Sequence, residues 1–204
     1  MGKLGSLKKL KQAYLQKMFP QSGERVPQVR FAGFSGDWVE RKLGEVAEVV
    51  GGGTPDTGNS EYWDGDIDWY SPTEIGESIY AFDSQRKITE LGLKKSSARI
   101  LPPDKTILFT SRAGIGDTAI LKKTAATNQG FQSLIVNDDF DVYCLYSLSN
   151  EIKNYALKNA SGSTFLEISG KNLAKMSLYL PCKAEQQKIG NFFRILDNLI
   201  ELHR

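Results

Sequence analysis

The sequence is poor in the residues on which most enzymes depend. A single histidine, His203, stands among its 204 residues, near the C-terminus and on the apolar spacing of a helix. One imidazole supplies no multi-histidine metal set and leaves no base for an ordinary Ser-His-Asp triad. The two cysteines, Cys144 and Cys182, are far apart and form no CxxC pair. That excludes a Cys-based zinc site and suits a reducing compartment. No apolar run approaches the ~20 residues that a membrane span needs. The leucines near the N-terminus are interrupted by lysines, unlike the core of a signal peptide. A cytoplasmic protein with no membrane partner is expected.

Nucleotide-binding loops are missing as well. Gly51-Gly52-Gly53-Thr54-Pro55 is glycine-rich without the GxGxxG spacing, and Gly170-Lys171 has no glycine at the P-loop position before it. The Asn/Asp-Pro-Pro-aromatic signature of amino-directed methyltransferases is absent; Leu101-Pro102-Pro103-Asp104 reads as a loop. Pro103-Asp104 with Glu151-Ile152-Lys153 could hold Mg²⁺ in a nuclease. An exposed Glu-x-Lys on a helix is nevertheless commonplace. The expectation is no catalytic residue, no metal and no bound cofactor: a domain that binds.

What is present is globular in character, with 40% hydrophobic residues, 25% charged residues and ten Phe. The net charge of +2 is too small to mark a nucleic-acid ligand, but its distribution is uneven. Lys3, Lys8, Lys9, Lys11 and Lys17 lie in a stretch without acids, whereas Asp56, Glu61, Asp64, Asp66 and Asp68 crowd another. A DNA-binding face would have to be local.

Leu4, Leu7, Leu10, Tyr14 and Met18 recur at helical steps before Pro20. Ile189, Phe192, Phe193, Leu196, Leu199, Ile200 and His203 do so after Pro181. Neither amphipathic helix is long enough to be stable alone, so each needs a surface to pack on. Between them, short β-like runs alternate with glycine and polar turns: 107–109, 118–121, 133–136 and 176–180. One helix interrupts them, with Val142, Leu145, Tyr146, Ile152, Tyr155 and Ala156 on one face. The chain reads as α+β: an N-terminal helix (1–20), a connector (21–37), one mixed α/β domain (38–181) and a C-terminal helix (182–204).

Several loops combine glycine with small donors. In Thr110-Ser111-Arg112-Ala113-Gly114-Ile115-Gly116 the glycines permit close backbone approach, Ser111 can donate, and Arg112 can fork onto a guanine edge or a phosphate. Asn128 and Gln129 carry the amides best matched to adenine. Ser161, Ser163 and Thr164 add hydroxyls, and Lys171 follows. All of these also read as ordinary turns, and Asn128 and Gln129 as braces for the fold. Trp63 and Trp69 could stack on bases, but the acids around them favour core packing. The loop carrying Ser71 and Thr73 is the better candidate for base contact.

In order along the chain, these pieces resemble the target-recognition domain of type I restriction–modification specificity subunits. The marks are Gly52-Gly53-Thr54-Pro55, Tyr62-Trp63-Asp64-Gly65-Asp66-Ile67-Asp68-Trp69, Gly114-Ile115-Gly116, Thr127-Asn128-Gln129-Gly130-Phe131, a Ser-Gly-x-Thr-x-x-x-Ile segment ending at Ile168, Leu180-Pro181, and Glu185-Gln186-Gln187-Lys188-Ile189 with Phe192-Phe193 and Leu196-Asp197. The resemblance implies a subunit that reads double-stranded DNA and directs an adenine-N6 methyltransferase subunit and a restriction/translocase subunit to a bipartite site. S-adenosylmethionine, ATP and Mg²⁺ would be used by those partners. The residue types of the loops then make Thr54, Ser71, Thr73, Ser111, Arg112, Gly114, Asn128, Gln129, Ser161, Ser163, Thr164 and Lys171 the candidate DNA contacts. The family plan holds two recognition domains apart with long helices. Here one domain is flanked by what look like two halves of a coiled-coil spacer. Leu7, Leu10, Tyr14, Met18, Ile189, Phe192, Phe193, Leu196, Leu199 and Ile200 would then pair two copies about a two-fold axis. A non-catalytic module that binds protein or RNA is the alternative.

Overall fold

The computed structural model describes residues 2–162 and 166–203. In chain order its first half contains α1 (Lys3–Met18), β1 (Val39–Lys42), α2 (Leu43–Val46), β2 (Ala47–Gly51), β3 (Trp63–Tyr70), β4 (Tyr80–Ala81), β5 (Arg86–Ile88) and α3 (Glu90–Lys94). The second contains β6 (Thr106–Phe109), β7 (Thr118–Leu121), β8 (Ala125–Thr127), β9 (Gln132–Val136), α4 (Val142–Ser147), α5 (Ser149–Asn159), α6 (Gly170–Leu173), β10 (Ser177–Leu180) and α7 (Lys183–Glu201). The α+β class expected from sequence is what the chain adopts. Two compact units result: a helical unit of Met1–Arg41, Asp138–Leu148 and Ser177–Arg204, and a sheet unit of Lys42–Asn137 and Ser149–Met176. Contiguous blocks of sequence and compact units of structure are different partitions here, because residues 138–148 and 177–181 join the terminal helices.

The helical unit is organised by α7. Ile189, Phe193, Leu196 and Ile200, at steps of four, three and four, are all buried, as the periodicity requires. On one side Phe193 stacks on Phe19 with centroids 6.0 Å apart, and Phe192 meets Tyr14 edge-on at 5.0 Å. Tyr14 meets Phe192 while Lys11, one turn earlier, pairs with Asp197 at 2.5 Å, so α1 runs antiparallel to α7. On the other side lies α4. Its N-cap Asp141 accepts from the Cys144 amide at 2.8 Å, and the Tyr143 hydroxyl donates to Asp197 at 2.9 Å. Gly190 is where the two helices touch, since a side chain there would strike the Asp141 carboxylate.

The connector is tied down too. Buried Glu185 accepts from Arg30 Nε at 2.7 Å and Nη2 at 2.8 Å, while Arg30 also donates to the Gly36 and Ser35 carbonyls. Hydrogen bonding to this carboxylate raises the Arg30 pKa above its already high ordinary value. Burial of each large apolar side chain in this core contributes about 1.5–3 kcal/mol.

The sheet unit holds a five-stranded sheet ordered β2-β9-β6-β7-β4 and a three-stranded sheet ordered β5-β3-β8. The pairings β4–β7 and β3–β8 are parallel; β2–β9, β6–β9, β6–β7 and β3–β5 are antiparallel. All of β6 is buried, which explains why Ile107-Leu108-Phe109 is a continuous apolar run rather than an alternating one. Tyr70, Leu101, Leu108, Leu121 and Phe131 centre the main core; Trp63, Trp69, Ile88 and Ala126 form a second.

The helix expected over 142–156 is two helices in two units. At Leu148 the backbone leaves helical geometry (φ −90°, ψ 10°), ending α4 before α5 begins at Ser149. Among the described residues no helix is long and apolar enough to cross a membrane.

Candidate nucleic-acid interface

The turn between β8 and β9 is the hub of the sheet unit's polar loops. The Gly53 amide donates to the Thr127 carbonyl at 2.8 Å. A side chain at Gly52 would collide with the carbonyl oxygens of Thr127 and Asn128, and one at Gly53 with Ser97 and the Ala98 amide. The Gly-Gly pair is thus demanded by two backbones in contact. Thr54 Oγ1 donates to Gln129 Oε1 across the same junction.

From the hub the ties continue. The Asn128 amide donates to the Tyr70 carbonyl at 3.0 Å, placing the turn beside Ser71 and Pro72. The Ser111 amide donates to the Gly130 carbonyl at 2.7 Å, and the Ile168 amide to the Ser111 carbonyl at 3.1 Å. Ser161 and Glu167 close the last loop through two backbone bonds of 3.0 Å. The segments around residues 52–54, 71–74, 111–116 and 128–130 therefore converge, with Ile168 tied to the third of them.

Two indoles anchor the first of them. Trp69 Nε1 donates to the Gly53 carbonyl at 2.9 Å, and Trp63 Nε1 to the Asp56 carbonyl at 3.1 Å. The rings meet edge to face at 5.1 Å, and the Arg86 guanidinium lies 3.6 Å from the centroid of Trp63. Both tryptophans are buried, in agreement with core packing.

The expected contact residues divide by position. Thr73, Gly114, Gln129, Ser161 and Lys171 are exposed, and Thr54, Ser71, Arg112 and Asn128 are half-buried. Ser111 is fully buried with its hydroxyl unpartnered, so its part in this chain is the backbone tie just described rather than surface contact. Asn128 spends its carbonyl on the Gly130 amide at 2.7 Å, the bracing use of an amide in a turn. Ser71 donates to Glu74 at 2.9 Å and exchanges a 3.1 Å bond with Thr73. Lys171 sits on α6, whose Gly170 abuts Gln132 and Val49. Ser163 and Thr164 lie outside the described residues.

The Arg112 loop is a braced turn. Thr110 Oγ1 donates to the Gly114 carbonyl at 2.5 Å and accepts from the Asp117 amide at 2.9 Å. Ala113 (φ 53°), Gly114 (φ 112°) and Gly116 (φ 92°) take left-handed backbone conformations, which an alanine adopts only under constraint. Lys153 covers the turn, pairing with Asp117 at 3.2 Å.

Nearby, burial pushes the Asp68 carboxyl up, but bonds from the Ser84 amide and hydroxyl and from Lys87 outweigh it and hold the group below the ordinary carboxylate range. Asp104 and Lys122 pair with each other, and Lys153 with Asp117. Among the described residues no group of three or more His, Cys, Asp or Glu could hold a metal ion.

Sequence reasoning overlooked the exposed residues Lys94, at the end of α3, and Lys95 and Ser97, which follow it. The basic-hydroxyl run 94–97 is visible in the sequence. Only the packing of Ser97 and Ala98 against Gly53 reveals it as a neighbour of the loops.

The helix residues expected to meet another chain are largely consumed within the helical unit. Met18, Ile189, Phe193, Leu196 and Ile200 are buried there, and Leu7, Tyr14 and Phe192 are half-buried. Leu10 and Leu199 remain exposed, and the exposed Ile195 and Leu202 extend a second apolar row on α7.

The sheet unit is thus an α+β domain with one cluster of braced polar loops. Residues 35–204 match the type I restriction modification DNA specificity domain, and the chain belongs to that family. It is similar to the type I restriction enzyme MjaIX specificity subunit of Methanocaldococcus jannaschii, with 42% identity over 169 residues covering 81% of this chain and 39% of that protein. It is also similar to the EcoR124I/EcoR124II specificity subunit of Escherichia coli, with 29% identity over 166 residues covering 78% and 41%. The chain spans about two fifths of the length of these curated relatives. A chain in a solved type I R-M system has the same fold, with TM-score 0.72 and 19% identity over 98% of this chain and 46% of its own. The HsdS subunit from Thermoanaerobacter tengcongensis does too, with TM-score 0.69 and 18% identity over 98% and 45%.

Proposed function

We propose that this chain reads duplex DNA for a type I restriction–modification system and performs no chemistry itself. The observation that carries the reading is the convergence of the polar loops at 52–54, 71–74 and 111–116 on the Thr127–Phe131 hub in a specificity-domain chain. Backbone ties fix these loops before any ligand arrives, so little ordering entropy opposes binding. Thr54, Thr73, Arg112 and Gln129 offer base-edge donors and acceptors, while Lys94, Lys95 and Lys171 offer phosphate contacts.

Methyl transfer to adenine N6 and ATP-driven restriction belong to partner subunits, which use S-adenosylmethionine, ATP and Mg²⁺. The site is bipartite and the complex cytoplasmic. Two copies of the chain pair about a two-fold axis by burying Leu10, Ile195, Leu199 and Leu202, apolar residues exposed on α1 and on α7 and its C-cap. Light scattering should give a dimer at tens of micromolar that Leu199→Lys dissociates; a monomeric wild type rejects the pairing. Deleting the gene should abolish N6-methyladenine at one interrupted motif in the host genome. An unchanged methylome rejects the DNA-targeting role.

A further inference from the structure

Arg112 carries a companion that a surface built only to attract phosphate would not keep. Glu167 Oε2 lies 3.9 Å from Arg112 Nη1, with both side chains partly exposed. Their backbones are held relative to each other. The Ser111 carbonyl accepts from the Ile168 amide at 3.1 Å, and Glu167 is itself fixed to Ser161 by two bonds of 3.0 Å. The two side chains therefore leave backbones held at a fixed separation, with the carboxylate in ion-pair range of the guanidinium. A carboxylate at this position repels a phosphate backbone, so its contribution must come from orienting a group that meets a base. Guanidinium has five donors in a planar fork, and an edge turned toward Glu167 leaves another edge free. Two parallel donors match N7 and O6 of guanine in the major groove.

We propose that Glu167 is a positioning residue which holds Arg112 for a guanine edge, so that the Arg112–Glu167 pair reads one G·C base pair of the recognised sequence. This rests on the reading of the loop cluster as a DNA interface. Two consequences pull in opposite directions. Replacing Glu167 by glutamine removes a repulsive charge, so affinity for unrelated duplexes rises. It also frees the guanidinium, so discrimination at one base pair falls. A residue that only stabilised the fold would not raise one and lower the other.

The test uses the full chain and duplexes enriched by the wild type from a random-sequence library. Each guanine is replaced in turn by 7-deazaguanine, which lacks the N7 acceptor. The wild type should lose roughly ten- to a hundredfold in affinity at one guanine. Arg112→Ala should be insensitive to the replacement there. Glu167→Gln should shrink that penalty several-fold while binding unrelated duplexes more tightly, and should change nothing further in the Arg112→Ala background. Glu167 bonds through its backbone, so the variant retains the Ser161 pairing, and a thermal melt checks this directly. An unchanged penalty in Glu167→Gln, or an equal effect with and without Arg112, overturns the proposal while leaving DNA recognition intact. A wild type that enriches no sequence overturns both.

Discussion

In the helical unit the charged side chains turn inward and satisfy one another, as Arg30 does with Glu185 and as Lys11 and Tyr143 do with Asp197. In the sheet unit the loop cluster is braced chiefly by backbone, and Thr73, Gln129, Lys94 and Lys95 end at solvent. The first arrangement commits polar groups to the fold. The second keeps polar side chains at the surface, some bonded to one another as Thr54 is to Gln129 and Ser71 to Thr73, on a scaffold already built. Substitutions should therefore divide by unit, into those that cost stability and those that cost recognition.

The largest effect is expected in the helical unit. Phe193→Ala removes a fully buried ring stacked on Phe19 and should cost about 3–5 kcal/mol in a denaturant melt. Lys11→Ala leaves buried Asp197 with the Tyr143 hydroxyl but without its cation. A loss of roughly 1–3 kcal/mol is expected. In the sheet unit Arg112→Ala should leave the melt within about 0.5 kcal/mol of wild type. It should instead weaken discrimination between duplexes by about 1–3 kcal/mol, a reversal of the helical-unit pattern.

Replacing Lys94 and Lys95 together by alanine should reduce the slope of log affinity against log salt by about 0.9 for each phosphate the variant no longer neutralises, with base preference unchanged. Asp68→Asn should act on the pH dependence of stability, losing at neutral pH what the ionised carboxyl contributes through Ser84 and Lys87. The wild-type carboxyl is held below its unfolded value, so it adds stability above the ordinary carboxylate range. That stability is lost as pH falls through the lower folded value. The acid limb of a stability profile should be shallower in the variant.

How much of this was legible in the sequence differs between the same two regions. The periodicity of α7 marked Ile189, Phe193, Leu196 and Ile200, which are buried, because 3.6-residue spacing reports which face is covered, but it also included Leu199, which is exposed. It could not report by what. Met18, Phe193 and Leu196 read as an interface for another chain, and they serve the unit's own core. The strands at 107–109 and 118–121 were visible as apolar runs, whereas β3 was hidden by its acids. Asp64 and Asp66 face solvent and Asp68 is neutralised by Ser84 and Lys87, a partnership visible only in three dimensions. In the candidate site, residue types were legible but directions were not. Ser111 and Arg112 are neighbours in sequence, yet Ser111 is fully buried while Arg112 reaches solvent. Gly52-Gly53 stood out as a motif, but the reasons for it are contacts of Gly52 with Thr127 and Asn128 and of Gly53 with Ser97 and Ala98, all distant in sequence.

The most direct test is a selection from random duplexes by the wild-type chain, followed by salt titration on the enriched and unrelated pools. The account predicts enrichment of a defined sequence bound roughly a thousandfold or more tightly than unrelated duplex, with both affinities falling as salt rises. Equal affinity for all duplexes, independent of salt, would contradict it.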